Sequence, residues 1–290
     1  MSRTRLVNPQ RLRSRAAILR ALRRWFDRNG YLEVHTPTLV AAPAMEANLY
    51  PLRADDGRAF LHTSPEFAMK RVLAAGLCRI YQIVPCFRAE EAGVHHSREF
   101  TMLEWYRVGA NATDLMDDVE DLIAHAAAAI HQPPPTFQRI ATAALLDDTA
   151  DPDAWFFEWV DRVEPTLTTP TIVYDYPAWQ SALARHRAGF ADRFEVYLGG
   201  LELANAFHEE LNPEALRQRW MAANHSREQR GHPPHPIDEA FLEAVGRMPR
   251  CAGIAMGIDR LVMALTGAAH IHDVQVPSDA SVTTTGEHPR

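Results

Sequence analysis

Cysteine is scarce in this chain of 290 residues, with only Cys78, Cys86 and Cys251 present and no CxxC pair among them. This scarcity argues against both a disulfide framework and a cysteine-based zinc site. No apolar run reaches the roughly 18 residues that a membrane span needs, and the N-terminus lacks the apolar segment of a signal peptide. We therefore expect a reduced, soluble and cytoplasmic protein.

The chain also lacks the positive charge of a general nucleic-acid coat protein, since its formal net charge is −7. Apolar residues make up 47% of the chain, which is enough for one large core or two small ones. Nine of the 30 basic residues nonetheless fall between Arg3 and Arg28. This cluster is either the solvated face of a helix or a docking surface for an acidic partner.

The order of periodic segments predicts an α+β fold with a mostly antiparallel sheet flanked by helices. Helical spacing marks residues 14–28, and the sequence TSPE at residues 63–66 is typical of a helix start. The segment PTIVYDYP predicts a strand, and Gly199-Gly200 predicts a hairpin turn between two further strands.

The segment FRAEEAGVHHSREFTMLEWY, residues 87–106, predicts a strand, a charged loop and a second strand. Alternation places Phe100, Met102, Glu104 and Tyr106 on one face of the second strand. That face is unusual for a core, because it combines an aromatic plane that suits a base with a carboxylate and a phenol. Arg88 ends the first strand, and its guanidinium group suits phosphate or carboxylate. The alternative is an exposed hairpin that carries surface ion pairs.

The segment RFEVYLGGLELANAFHEE, residues 193–210, predicts a carboxylate pair. If Gly199-Gly200 forms a two-residue turn, Glu195 and Glu202 lie diagonally on one face. Two adjacent carboxylates repel each other without a cation, and Mg²⁺ that bridges to phosphates is the usual solution. Asn205 has the opposite parity, so we assume a β-bulge between Glu202 and Asn205. The alternative is a set of ordinary charges on a solvated face.

The segment GIAMGIDRLVM, residues 253–263, predicts a glycine-rich strand that runs into a helix. Gly253 and Gly257 permit close backbone approach to a flat group. We expect Asp259 to cap the helix. Arg260 in the first turn opposes the helix dipole, which indicates that it faces a polyphosphate there. The alternative is that Arg260 pairs with a nearby carboxylate.

The three segments together fit a bent nucleoside triphosphate with magnesium better than any one of them does. Two arginines, a base-stacking aromatic ring and a pair of carboxylates are the groups that such a ligand requires. The remaining acidic and phenolic side chains suit a ligand that carries amino groups: Glu66, Glu104, Glu209 and Tyr106.

These segments resemble the three signatures of class II aminoacyl-tRNA synthetases: GYLEVHTPTL with Pro37, then FRAEE with EFTMLEWY, then GIAMGIDRL. TSPEFAMKR, PTIVYDYP and LELANAFHEE are similar to the lysyl branch. Where that branch has Gly, this chain has Ala255. In this it resembles the stand-alone paralogues that ligate (R)-β-lysine to elongation factor P, which have Ala at the same position. The resemblance implies a catalytic domain over residues 1–277, without an anticodon-binding domain, and a polar, disordered tail over residues 278–290.

The resemblance also implies the roles of the candidate residues. Arg88 and Arg260 are expected to be catalytic, Glu195 and Glu202 to hold Mg²⁺, and the segment through Pro37 to form a homodimer interface. The expected ATP-binding residues are Arg88, Glu90, His96, Phe100, Glu195, Glu202 and Arg260. The expected residues for the amino acid are Ser64, Glu66, Glu104, Tyr106, Asn205, Glu209 and Ala255.

Two alternatives stay open at this point. One is a synthetase-like enzyme that adenylates α-lysine and passes it to tRNA or a small molecule, against which Ala255 counts. The other is a non-catalytic paralogue that only binds an amino acid, and the presence of both arginines and both magnesium carboxylates counts against it. The sequence departs from the family pattern at Ala89, where Asn is usual, and at Ser97-Arg98, where Asn-Pro is usual.

Overall fold

A computed structural model describes residues 8–147 and 151–276 of the chain. Within these ranges the α-helices are α1 (Pro9–Arg28), α2 (Glu66–Ala74), α3 (Ala112–Ala128), α4 (Pro152–Glu158), α5 (Pro213–Gln229), α6 (Glu239–Val245) and α7 (Ile258–Thr266). The strands are β1 (Leu32–Glu33), β2 (Leu39–Val40), β3 (Arg53–Ala54), β4 (Ala59–Leu61), β5 (Arg79–Phe87), β6 (Glu99–Val108), β7 (Gln138–Ala141), β8 (Thr171–Pro177), β9 (His186–Arg187), β10 (Phe190–Leu198), β11 (Leu201–His208) and β12 (Cys251–Gly257).

Nine strands form the main sheet in the order β1-β5-β6-β12-β11-β10-β8-β7, with β9 beside β10. The pairs β1–β5 and β7–β8 at its two ends are parallel, and the other neighbours are antiparallel. Strands β2, β4 and β3 form a smaller antiparallel sheet. The predicted α+β architecture with a mostly antiparallel sheet is therefore confirmed.

The main core lies between one face of the large sheet and helices α1, α3 and α7. Strand β6 contributes Leu103 and Trp105 to this core, where both are fully buried. Its alternate residues Met102, Glu104 and Tyr106 line a cavity on the other face. Burial of a large apolar side chain stabilises the folded state by roughly 1.5–3 kcal/mol. The face of β6 that carries Leu103 and Trp105 is therefore held against the helices, and the other face stays open to a ligand.

Helix α4 covers the opposite face of the sheet near β8. Its Trp155 stacks on Trp159 with the ring centroids 4.9 Å apart, and both pack against Tyr176 and Tyr197. The predicted strand PTIVYDYP corresponds to β8, which begins at Thr171.

The predicted hairpin and bulge are both present. Gly199 and Gly200 have φ values of 63° and 76°, the left-handed conformation that a two-residue hairpin turn requires. Val196 pairs with Ala204 but Tyr197 pairs with Glu202, so Leu203 is the extra residue between them. The bulge brings Glu202 and Asn205 to the same cavity.

Two local predictions need correction. Helix α1 begins at Pro9 rather than near residue 14, because the Asn8 side chain accepts the N–H groups of Gln10 and Arg11 at 3.1 Å. Asp259 does not cap α7. Its carboxylate instead accepts the Thr101 N–H at 2.6 Å and Arg15 Nη1 at 2.6 Å, so it joins α7 to β6 and α1.

The predicted tail, residues 278–290, lies outside the described residues, as do Arg3 and Arg5 of the N-terminal cluster. In the part of the chain that is described, no helix has the length and apolarity needed to cross a membrane.

Candidate functional site

Two cavities adjoin on the face of the main sheet that helices α1, α3 and α7 leave open. The acidic cavity, of 550 Å³, is lined by Glu46, Glu66, Glu104 and Glu209 among others. The arginine cavity, of 340 Å³, is lined by Arg88, Arg260, His95, His96 and Phe100 among others. Both cavities share the residues of a junction: Glu46, Leu49, Arg88, Met102, Asn205 and Ala255. Ligands in the two cavities would therefore meet at this junction.

Glu104 is a buried carboxyl group in the wall of the acidic cavity. Ser64 Oγ donates to one of its oxygens and Tyr106 Oη to the other, each at 2.6 Å. Burial and the negative charge of Glu66 raise the pKa of Glu104 to about 8. Near neutral pH this group therefore holds a proton unless another cation takes its place.

Lys70 lies between two further carboxylates of this cavity. Its Nζ is 2.6 Å from Glu66 Oε1, one turn earlier in α2, and 2.6 Å from Glu209 Oε2, just beyond β11. Burial alone would lower the pKa of Lys70, but Glu209 and Glu66 raise it above its ordinary value. Burial raises the pKa of Glu209 to about 7, although Lys70 opposes the shift.

Gly253 permits the close packing of Tyr106 and Glu209. It pairs with Tyr106 across β12 and β6. A Cβ atom at this position would overlap the Tyr106 ring and lie 2.8 Å from Glu209 Oε1. The predicted close approach to a flat group is thus present, and the flat group is a tyrosine ring of the protein itself.

Arg88 lies at the junction of the two cavities. Its Nη1 donates to Glu91 Oε1 at 2.8 Å, and its guanidinium carbon is 5.1 Å from the centroid of the Phe100 ring. Its Nε is buried and has no hydrogen-bond partner among the described residues. A buried donor of this kind suits an anionic ligand at the junction.

Arg260 lies in the first turn of α7 and contacts the loop between β5 and β6. Its Nη1 donates to the Glu202 carbonyl oxygen at 2.8 Å, and its Nε donates to the His95 carbonyl oxygen at 3.3 Å. Its Nη2 contacts His96 Nε2, and burial together with Arg260 lowers the pKa of His96. The Glu202 carboxylate lies 3.6 Å from Nη1, so the predicted pairing with a carboxylate is also present.

The predicted magnesium carboxylates differ in their surroundings. Glu202 lines the arginine cavity, where burial and the charge of Glu195 raise its pKa. Glu195 is buried beside it and accepts hydrogen bonds from Tyr176 Oη at 2.5 Å and Tyr197 Oη at 2.6 Å. Glu195 also pairs with Arg193. Its carboxylate is therefore held by the protein, while that of Glu202 is directed toward the cavity.

The carboxylate oxygens of Glu202 fit a hard cation such as Mg²⁺ at the arginine cavity, whereas Glu195 lines neither cavity and both of its oxygens already have partners in Tyr176, Tyr197 and Arg193. Across residues 8–147 and 151–276, no three histidine, cysteine, aspartate or glutamate side chains are grouped so that they could hold a metal ion. A magnesium ion here would thus depend on phosphate oxygens as further ligands, which is its usual mode of binding. The magnesium roles of both glutamates stay predictions.

The junction contains Asn205 and Ala255, which pair across β11 and β12. The predicted ATP contact Glu90 lies elsewhere. The chain turns at Ala89-Glu90, so Glu90 is exposed and lines neither cavity, whereas Glu91 lines the arginine cavity. Glu91 pairs with Arg88 at 2.8 Å, and the ATP-binding role of Glu90 stays a prediction.

The family model for class II tRNA synthetases (D, K and N) matches residues 2–278. The chain belongs to this family. It is 39% identical to the elongation factor P–(R)-β-lysine ligase of Yersinia enterocolitica, over 91% of this chain and 93% of that protein. Ligases of the same name from Vibrio campbellii and Salmonella paratyphi B are each 38% identical over 91% of this chain, and over 94% and 93% of theirs. The resemblance predicted from the sequence is confirmed.

Sequence reasoning missed four residues that line the two cavities or contact their residues: Lys70, Glu91, Glu46 and Arg193, whose Nε donates to Asn205 Oδ1 at 3.0 Å. The spacing of Glu66 and Lys70, four residues apart on a predicted helix, was an available signal. Arg193 has the same parity as Glu195 on β10, which was also available. Glu46 lies in a segment without periodicity, and nothing in the sequence marked it.

Proposed function

We propose that this protein activates (R)-β-lysine with ATP and transfers the β-lysyl group to a lysine side chain of elongation factor P. The observation that carries the proposal is the junction at which an acidic cavity and an arginine cavity meet. A diamino acid in the first cavity and a nucleoside triphosphate in the second would bring a carboxylate to a phosphate there. Family membership and the names of the relatives support the same reaction.

The acidic cavity recognises the amino acid in this proposal. Glu66 receives the amine nearer the carboxylate, while Glu209, Tyr106 and Glu104 receive the terminal ammonium group. Ser64 orients Glu104 through its 2.6 Å hydrogen bond. Carboxylates in a buried site attract ammonium groups more strongly than they would in water, and this favours diamino acids over monoamino acids.

The arginine cavity recognises ATP. Phe100 offers its ring to the adenine, and Arg260 with His96 contacts the phosphates. Glu195 and Glu202 would hold Mg²⁺. When bound, the ion neutralises charge on the phosphate oxygens.

The proposed chemistry has two steps. An oxygen of the amino-acid carboxylate attacks the α-phosphorus, the bond from that phosphorus to pyrophosphate breaks, and Arg88 with Arg260 stabilises the developing charge. The neutral amine of the acceptor lysine then attacks the carbonyl carbon of the mixed anhydride, the bond from that carbon to the AMP oxygen breaks, and AMP leaves with the proton that the nitrogen gives up. The junction holds both reactants in position, so no covalent enzyme intermediate is needed.

Ala255 supports β-lysine over α-lysine as the substrate. It lies at the junction, where the position of the amino group relative to the carboxylate differs between the two isomers. A single methyl group in such a pocket changes selectivity by roughly 1–3 kcal/mol. This biases the choice between isomers and leaves some activity with the other.

We also propose a homodimer and a single cytoplasmic catalytic domain. Leu32 and Leu39, on either side of Pro37, expose 52% and 54% of their surface, which suits a protein interface. The family model spans nearly all of residues 1–277, which supports one domain. A translation factor as the acceptor supports the cytoplasmic location.

The test combines an exchange assay with mass spectrometry. ATP–pyrophosphate exchange is measured with (R)-β-lysine and with α-lysine. The mass of elongation factor P is then measured after incubation with enzyme, ATP and each isomer. We expect faster exchange with (R)-β-lysine and a mass increase of one lysyl residue on the factor. Exchange with α-lysine alone, and an unmodified factor, would favour the synthetase-like alternative.

Substitution of Arg88 tests the catalytic role of the junction. Arg88→Ala should abolish exchange, because no other guanidinium group lines both cavities within the described residues. Arg58→Ala is the matched control, since Arg58 is an exposed arginine that pairs with Asp55 outside both cavities. Exchange at the normal rate in Arg88→Ala would contradict the assignment.

A further inference from the structure

Lys70 is the only lysine in the chain, and the other 29 of its 30 basic residues are arginine. It is also buried, with 1% of its surface exposed. An ammonium group is a compact point charge, whereas guanidinium is a broad planar fork. The one lysine of the chain thus lies at a buried site that suits a compact cation.

The surroundings of Lys70 are charged on several sides. The titratable groups that face it are Glu66 on its own helix, Glu104 and Tyr106 on β6, Glu209 just beyond β11, and Cys251 on β12. Lys70 does not line the acidic cavity, although Glu66 and Glu209 both do. The ammonium group thus lies behind the two carboxylates and does not compete for the ligand space.

We propose that Lys70 is a positioning residue for the amino-acid substrate. Its ammonium group holds Glu66 Oε1 and Glu209 Oε2, so that the second oxygen of each carboxylate faces the substrate's ammonium groups. Both oxygens of Glu209 are buried and accept no hydrogen bond from the described residues. Oε2 lies 2.6 Å from Lys70 Nζ, so Oε1 is the oxygen left for the substrate. The inference rests on the proposed function, since it assumes a diamino acid as the ligand.

The charges of the cavity support the same role. Glu66, Glu104 and Glu209 carry three negative charges when ionised, and Lys70 cancels one. The two that remain match the two ammonium groups of lysine or β-lysine. Glu46 is a fourth carboxylate, at the junction: burial and the charge of Glu66 raise its pKa, and the charge of Arg88 opposes that shift.

The single lysine permits a direct observation of this site. Protein grown with ¹⁵N-labelled lysine carries the side-chain label at Lys70 alone. We expect its Nζ resonance to shift when (R)-β-lysine is added and to stay unchanged with a non-hydrolysable ATP analogue alone. An Nζ resonance that does not shift when (R)-β-lysine is added would overturn the proposal.

Substitutions test the consequence for activity. Lys70→Met should raise KM for (R)-β-lysine by roughly 10- to 150-fold, the range for loss of a charged hydrogen-bond partner. KM for ATP should not change. The rise of kcat/KM with pH should move to higher pH, because loss of the Lys70 charge raises the pKa of Glu209, which then keeps its proton to a higher pH. A lower kcat with unchanged KM and pH profile would mean that Lys70 only supports the fold.

Two controls keep the test decisive. The double variant Lys70→Met/Glu209→Gln removes the uncompensated carboxylate too, so it should recover thermal stability without recovering KM. Recovery of KM in that variant would overturn the positioning role. If the resonance responds to (R)-β-lysine while elongation factor P stays unmodified, the acceptor is wrong and the role of Lys70 stands.

Discussion

Gly253→Ala should impair the amino-acid site selectively. The glycine is opposite Tyr106, and an added methyl group would overlap that ring and approach Glu209 Oε1 to 2.8 Å. The backbone of Gly253 lies outside the left-handed region, so the effect is a steric one. The Tyr106 ring can accommodate the added methyl group only by moving away from β12.

The magnitude follows from the hydrogen bond that this movement breaks. Tyr106 Oη donates to Glu104 Oε1 at 2.6 Å. Loss of a hydrogen bond to a charged group amounts to about 1.5–3 kcal/mol, and since each 1.4 kcal/mol is tenfold, KM for the amino acid should rise roughly 10- to 150-fold. Overpacking should also lower the free energy of unfolding by roughly 1–3 kcal/mol.

The assay is ATP–pyrophosphate exchange with the amino acid varied at saturating ATP, and then with ATP varied, beside thermal unfolding. Gly257→Ala, on the same strand, is the matched control for the acidic cavity. Its methyl group would meet Arg260 side-chain carbons at 3.8 Å, an ordinary contact distance, so KM for the amino acid should stay near that of the unaltered enzyme. Normal KM and normal stability in Gly253→Ala would refute the reasoning.

Three further predictions concern pH, the acceptor and assembly. The kcat/KM for (R)-β-lysine should rise from about pH 7 to about pH 8 as Glu209 and Glu104 lose protons, and a flat profile would contradict this. Charge reversal of the exposed α1 arginines should slow transfer to elongation factor P and weaken its salt dependence, with exchange unchanged; an equal loss of exchange would make them structural. The reversed residues are Arg13, Arg20, Arg24 and Arg28; Arg23 is exposed too but pairs with Glu33 and is left unchanged. Leu32→Glu should dissociate the proposed dimer in sedimentation velocity, and an unchanged sedimentation coefficient would place the interface elsewhere.

The face of β6 was predictable because strand alternation is a local property. Met102, Glu104 and Tyr106 could be assigned to one side from spacing alone, and Leu103 with Trp105 to the other. The bulge was predictable for a related reason, since only an extra residue could place Glu202 and Asn205 together.

Partners distant in sequence were not predictable in the same way. Asp259 binds Arg15, 244 residues away, and the chain offers many arginines as candidate partners. Glu90 and Glu91 are adjacent, and only the turn at Ala89 decides which of them reaches the cavity. Such choices depend on tertiary packing, which periodicity does not report.

Burial, together with the negative charge of Glu66, raises the pKa values of Glu104 and Glu209, so without a further cation both groups favour their protonated forms. A diamino acid supplies positive charge and displaces protons, so its binding strengthens as pH rises. A β-amino acid of equal length that ends in a methyl group supplies only one ammonium group, and the uncompensated carboxyl group must keep its proton. Its kcat/KM should therefore fall from about pH 7 to about pH 8, in pyrophosphate exchange, while that of (R)-β-lysine rises. Parallel profiles for the two compounds would mean that cavity charge does not select the substrate.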